Sequence, residues 1–293
     1  MEVKMEAKTV IKKLEKMRIK IKVLYAISIL MFILIVTVMA VATITEKSIP
    51  KSFLLGLVLC IIMSFFTSIN KKTIKKFKIL YKETFVYDLL YSMLDDVDYR
   101  PWQGLEPRNV AESGLIKLGN IYGSDDVLFA SYRGIRFCQA DVESRFVDEN
   151  KRKSAKIYFS GRLLCFDYTY KNVNDVKVLD KNFESKIEEL GNKVLLENIE
   201  FNNIFNVYSI DEEDAFYVLT PHFMEKMMSI QERYKNVAFR FTNHRLYVAI
   251  SAEHAFDTPG KKKIKYDVEM ARVKKHIQVV IDIVDAMKRY YEN

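Results

Sequence analysis

Glycine is scarce, at 9 in 293 residues, and the nine include no G-x-G-x-x-G and no Walker sequence. The two commonest backbone cradles for phosphate are therefore missing. Cysteine is scarcer still. Cys60, Cys138 and Cys165 form no C-x-x-C pair, which leaves neither a zinc knuckle nor a disulfide framework to read. In a reducing compartment such residues serve as small buried hydrophobes. Ser113 and Ser251 lack a G-x-S-x-G context, so no nucleophile elbow is present. No cofactor motif is evident, and nothing in the pattern demands an enzyme.

Charge is also missing, but only locally. Residues 23–44 and 53–69 contain no Asp, Glu, Lys, Arg or His. At 1.5 Å per residue, about 20 apolar residues cross a hydrocarbon core of about 30 Å. The first run spans comfortably and the second is at the short limit. Their polar groups are Ser28, Thr37, Thr43, Ser64, Thr67 and Ser68, and none is ionisable. Intramembrane charges usually mark ion or substrate paths, so their absence argues for an anchor, or for a pore only by assembly.

The link at 45–52 is too short for a domain, so the spans form a hairpin with both chain ends on one side. Lys4, Lys8, Lys12, Lys13, Lys16, Arg18, Lys20 and Lys22 precede the first span. Lys71, Lys72, Lys75, Lys76, Lys78 and Lys82 follow the second, and the turn has only Lys47 and Lys51. Positive charge stays cytoplasmic, which puts both termini in the cytoplasm. A multi-pass protein of the plasma membrane is the expected setting. Ala40-Val41-Ala42 resembles a signal cleavage site, but the long basic lead and the immediate second run argue against cleavage.

The net charge of +8 must be divided before it is interpreted. Residues 1–82 carry 16 basic and 4 acidic side chains; the remainder carries 30 and 34. The excess is a collar beside the membrane, not a nucleic-acid patch on the folded domain. Lys12, Lys13, Lys71, Lys72, Lys75, Lys76 and the loop run Lys261, Lys262 and Lys263 are the expected contacts for anionic lipid headgroups.

Two heptad seams stand at the chain's ends. Val3, Ala7, Val10, Leu14, Met17, Ile21 and Leu24 alternate spacings of 4 and 3, within a basic amphipathic helix over 1–22. The same pattern suits a coiled coil or a helix resting on headgroups. Met270, Val273, Ile277, Val280, Val284, Met287 and Tyr291 repeat it near the C-terminus. Extra apolar residues at 279, 281 and 283 widen that stripe and favour docking on the domain's own sheet over a free coiled coil. A homo-oligomer or a protein partner is the expected use of an unfilled seam.

The hairpin (23–69) is followed by a membrane-proximal helix predicted over 70–98, a cytosolic domain over 99–260 and a C-terminal helix over 261–293. Within the domain, Asp126–Tyr132 and Ile135–Val142 read as a hairpin about Arg133-Gly134. Residues 156–170 repeat that form about Gly161. Residues 193–197 and 205–209 are short strands. Thr220-Pro221 starts a helix, with Thr as N-cap and Pro at the first helical position. Residues 237–242 and 245–251 make a last hairpin. The fold class is α+β: a two-helix transmembrane hairpin, an antiparallel sheet domain flanked by helices, and a long C-terminal amphipathic helix.

These residues resemble a bacterial family known only as a domain of unknown function. Its members are similar in pairing a short membrane hairpin with a cytosolic domain. The resemblance rests on Ser113-Gly114-Leu115, Asp125-Asp126 with Gly134, and the run Phe159-Ser160-Gly161-Arg162-Leu163 with Phe166. Its strongest part is Leu196-Glu197 through Phe205-Asn206-Val207-Tyr208-Ser209-Ile210-Asp211 to Tyr217-Val218-Leu219-Thr220-Pro221 and Phe223-Met224. It covers roughly 70–255, implies the topology, and brings no catalytic residue.

Candidate chemistry is thin. Asp126, Asp141 and Asp167, with Asp125 and Glu143, are strand-end acids that could serve acid–base work or hold a divalent cation. His244 and His254 bracket the last strand and would need a third ligand, Glu253 or Asp257, to hold a metal. The favoured function is a membrane-anchored binding, sensing or scaffold domain. An oligomeric membrane effector and a metal-dependent hydrolase are the alternatives.

Overall fold

A computed structural model of the protein describes residues 2–45, 49–148, 155–167, 173–183, 191–242, 244–252, 254–260 and 262–288. The turn residues 46–48, Tyr168–Tyr170, Asn243, Glu253, Lys261 and Tyr291 lie outside the described residues. The chain divides into two compact units, 1–86 with 258–271, and 87–257 with 272–293.

The first unit holds helix α1 (Glu2–Thr45) and helix α2 (Ile49–Lys82), which pack on each other. Both are long and apolar enough to cross a membrane. Leu30, Phe32, Leu54, Ile61 and Phe65 are exposed along them. The hydroxyls of Ser28 and Thr37 donate back to Leu24 O and Leu34 O at 2.9 and 2.8 Å, so these span donors are satisfied within their own helix. Leu14 and Leu24 of the first seam are buried. Lower in the unit, Glu15 pairs with Arg18 at 2.7 Å and accepts the Ile264 N–H at 2.6 Å. Tyr81 donates to Glu269 Oε2 at 2.5 Å, and its ring packs on Phe85.

Residues 70–98 do not form one helix. A π-turn (Glu83–Tyr87) follows α2, helix α3 runs Asp88–Met93, and strand β1 takes Asp95–Arg100. Pairing with the next strand draws Asp95–Arg100 out of the helix and into the sheet edge.

The second unit is built on one antiparallel sheet of nine strands among the described residues. In chain order come β1, helix α4 (Pro107–Glu112), β2 (Ile121–Tyr132), β3 (Ile135–Val147), β4 (Ala155–Asp167), β5 (Asp175–Asp180) and β6 (Asn192–Val194). Helix α5 (Ile199–Ile204), β7 (Phe205–Ser209), helix α6 (Glu212–Val218), helix α7 (Pro221–Tyr234), β8 (Val237–Thr242), β9 (Arg245–Ile250) and helix α8 (Tyr266–Lys288) follow. The spatial order is β1-β2-β3-β4-β9-β8-β5-β7-β6. Thr220 Oγ1 caps α7 by accepting the Phe223 N–H at 3.3 Å, with Pro221 in the first turn.

Residues 156–170 do not form a second hairpin. The described part is a single strand, β4, and Gly161 lies inside it opposite Val142. A Cβ at Gly161 would stand 2.1 Å from Ile250 O and 2.9 Å from Ala252 N. This glycine admits a neighbouring backbone and does not turn the chain.

One sheet face carries Val142, Phe159, Leu163, Tyr247 and Ala249, covered by Val110, Leu115 and Ile116. The other face is covered by α7 and α8: Phe223 meets Phe241 edge-on at 5.5 Å, and Arg162 Nη1 donates to His276 O at 3.2 Å. Val273, Ile277, Val280, Val284 and Met287 are all buried, so in this unit the second seam is consumed by the domain's own core.

Gly161→Ala should lower stability by about 1–3 kcal/mol, the usual range for overpacking a closed site. Gly123→Ala, where an added Cβ meets nothing within 4 Å, should stay within about 0.5 kcal/mol of wild type. Denaturant or thermal melts of the two variants check the contrast.

Candidate functional site

Two features of the second unit are candidate sites. The first is a cavity of about 510 Å³. Its apolar wall is Leu105, Phe129, Ala130, Leu163, Cys138, Cys165 and Tyr247, and Asp96, Glu112, Arg136, Asp167 and Arg245 add charge. Antiparallel pairing sets Cys138 directly opposite Cys165. Arg136 reaches Asp167 at 3.2 Å, and Arg245 donates to the Tyr247 hydroxyl at 3.3 Å. Asp96, at φ +50, accepts from the Ser131 hydroxyl at 2.6 Å. Burial pushes the Cys138 thiol up to about 12 and the Cys165 thiol up to about 11. Neither is a reactive thiolate near neutral pH.

The second feature is a polar cluster on the opposite face. Asp125 and Asp141 are direct cross-strand partners of β2 and β3. Two carboxylates in that relation repel. Between Asp125 and Leu128 the strand carries one extra residue, and Asp126 adopts φ +57 there. This β-bulge turns Asp126 inward, where the buried Tyr99 hydroxyl donates to its Oδ1 at 2.5 Å. Burial first, and then the Asp126 charge, keep the Tyr99 phenol protonated as that donor. Asp141 is 1% exposed, and both of its oxygens accept the Ala255 N–H, at 3.2 and 2.9 Å. Burial, then Asp126, push its carboxyl well above the ordinary range, against the pull of Ala255 and Arg162. The backbone contact with Ala255 carries the loop after β9 over the acids, and His254 comes with it. One ligand atom each from Asp125, Asp141 and His254 lies within 4.8 Å of the others. His254 Nδ1 is 3.6 Å from Asp257 Oδ2.

Arg162 faces Asp141 from β4 and is 1% exposed. Its Nη1 is bound to His276 O, while Nε and Nη2 have no hydrogen-bond partner among the described residues. Burial pushes its pKa down and Asp141 draws it up; a guanidinium stays cationic under both. His276 is driven to about 3 by burial and then by Arg162, so it adds no charge to the group at neutral pH.

The structure thus distributes the sequence candidates between two places. Asp126, Asp141, Asp125 and His254 converge. Asp167 lies on the cavity, and Glu143 pairs with Arg145 along β3. His244 sits at the far end of β9 from His254, about 20 Å of extended strand away, so the two cannot share an ion. The sequence reasoning missed Arg162, Tyr99 and Gln139. An Arg beside a strand glycine was the one visible signal, since a charge inside an apolar run needs a partner.

Residues 157–289 match a family described as Protein of unknown function (DUF3137). The match takes in the Phe159–Phe166 run and the Leu196–Met224 block and continues through α8. It leaves out Ser113-Gly114-Leu115 and the Asp125–Gly134 hairpin, so His254 and Arg162 lie inside it while Asp125 and Asp141 do not. No curated protein and no solved structure matches the chain.

The cavity thiols generate a test. At pH 8, iodoacetamide should alkylate Cys138 and Cys165 roughly a hundredfold more slowly than an unperturbed cysteine. The rate should rise about tenfold per pH unit to pH 10, because the folded protein holds the thiols protonated. Mass spectrometry of alkylated peptides against time gives the rates.

Proposed function

We propose that the protein is a membrane-anchored binding domain, and that its ligand is a small molecule with an apolar body and a polar end. The observation that carries this reading is the cavity: about 510 Å³, an apolar wall, and paired charges at Arg136–Asp167 with Arg245 beside them. That size and lining are those of small-molecule sites, which are mostly apolar with a few placed polar groups. The acids and bases of the lining provide for a ligand end of either sign or of both.

The anchor is α1 with α2, and the proposed setting is the plasma membrane of a bacterium with both termini in the cytoplasm. The lysine bias on either side of the spans supports the orientation. Lys12, Lys13, Lys71, Lys72, Lys75 and Lys76 are exposed beside the apolar stretches, and Lys262 and Lys263 are exposed in the same unit. These side chains are the proposed contacts for anionic headgroups.

Two experiments test the reading. Native mass spectrometry of the intact protein in mild detergent should find a small molecule retained by wild type and lost from Cys165→Phe, which fills the cavity. The variant should keep its melting temperature within about 5 °C. An unchanged small-molecule profile in the variant refutes the cavity assignment. For the anchor, a cysteine introduced at either terminus should react with an impermeant maleimide only after the cytoplasmic face is opened; labelling of intact cells reverses the topology.

A further inference from the structure

The cluster on the sheet's other face supports a second site, independent of the cavity. We propose that Asp125, Asp141 and His254 bind one divalent first-row transition ion, of which Zn²⁺ is the best-fitting member.

The donor set argues for the class of ion. Two carboxylates with one imidazole make a three-ligand site that leaves a fourth position for water. The imidazole selects against Mg²⁺ and Ca²⁺, which prefer all-oxygen shells. The ligand atoms lie within 4.8 Å of one another. A tetrahedral ion with bonds of about 2.0–2.2 Å sets its ligands about 3.3–3.6 Å apart. Asp141 is pinned by the Ala255 N–H, whereas Asp125 and His254 are partly exposed and can close onto it by rotamer adjustment.

A further observation points to a bound cation. Gln139 lies two residues before Asp141 on the same face of β3 and is 2% exposed, and its Oε1 has no hydrogen-bond partner among the described residues. A buried acceptor needs a donor or an ion, and a cation held by the neighbouring acids, or the water on it, would supply one. Asp257, 3.6 Å from His254 Nδ1, is placed as the outer carboxylate that orients a ligating imidazole.

The test uses untagged full-length protein in mild detergent, stripped with EDTA and titrated with Zn²⁺ by calorimetry, with melting curves alongside. One Zn²⁺ per chain is expected, with a rise in melting temperature. His254→Gln and Asp125→Asn, both at partly exposed positions, should each weaken binding at least tenfold while folding normally without metal. His244→Gln should bind as wild type does. Saturable Zn²⁺ binding that survives His254→Gln and Asp125→Asn would overturn the assignment, as would no binding at all or a preference for Mg²⁺ or Ca²⁺. A variant that fails to fold is replaced by His254→Phe, for which the same tenfold loss is required.

Discussion

The pairing of β4 with β9 holds the second unit together. On one side of it stands the meander β1–β2–β3–β4; on the other stand β9, β8, β5, β7 and β6. Six residue pairs, from Arg162 opposite Ile250 to Asp167 opposite Arg245, join the two groups into one sheet. Gly161 makes the junction possible, because any side chain there would enter the backbone that leaves β9. The same close approach brings the loop after β9 back across β3 and delivers the Ala255 N–H to Asp141. Remove the pairing and the sheet divides, the cavity loses Tyr247 and Arg245, and the acids lose His254.

Much of this fold was legible in the amino-acid order. The two long apolar helices, the Thr220-Pro221 helix start, the hairpin about Arg133-Gly134 and the last hairpin all follow from local signals: hydrophobic run length, capping chemistry and turn residues. Strand β1 was not legible, because Asp95–Arg100 is acidic, sits at the sheet edge and has a partner on one side only. Strand β5 was not legible either. Its Val176 and Val178 are buried, but Lys177 between them is 5% exposed, and only insertion between β7 and β8 explains a lysine held there.

The candidate sites were less legible than the fold, for a different reason. Asp125 and Asp141 come together through register, and His254 joins them from the loop after β9, more than a hundred residues later in the chain. No spacing rule links such positions. Asp167, which looked equivalent to Asp141 as a strand-end acid, belongs to the other face and to the cavity. The two faces of one sheet therefore hold different chemistry: an apolar, thiol-lined hollow on one, and a buried charge cluster on the other. Period-2 alternation keeps them apart within the same strands, as Ala140 and Asp141 illustrate.

The bulge in β2 has an evolutionary consequence. Before it, odd-numbered residues such as Asp125 face the charge cluster; beyond it, even-numbered ones such as Leu128 do, because the strand gains three residues while its partner gains two. The bulge acts as a phase shifter between two reading frames of the same strand. Deleting one residue there would rotate Ile121–Asp125 to the opposite face, moving Tyr122 out of its core and Asp125 into it. Length, more than identity, is what selection must conserve in that segment.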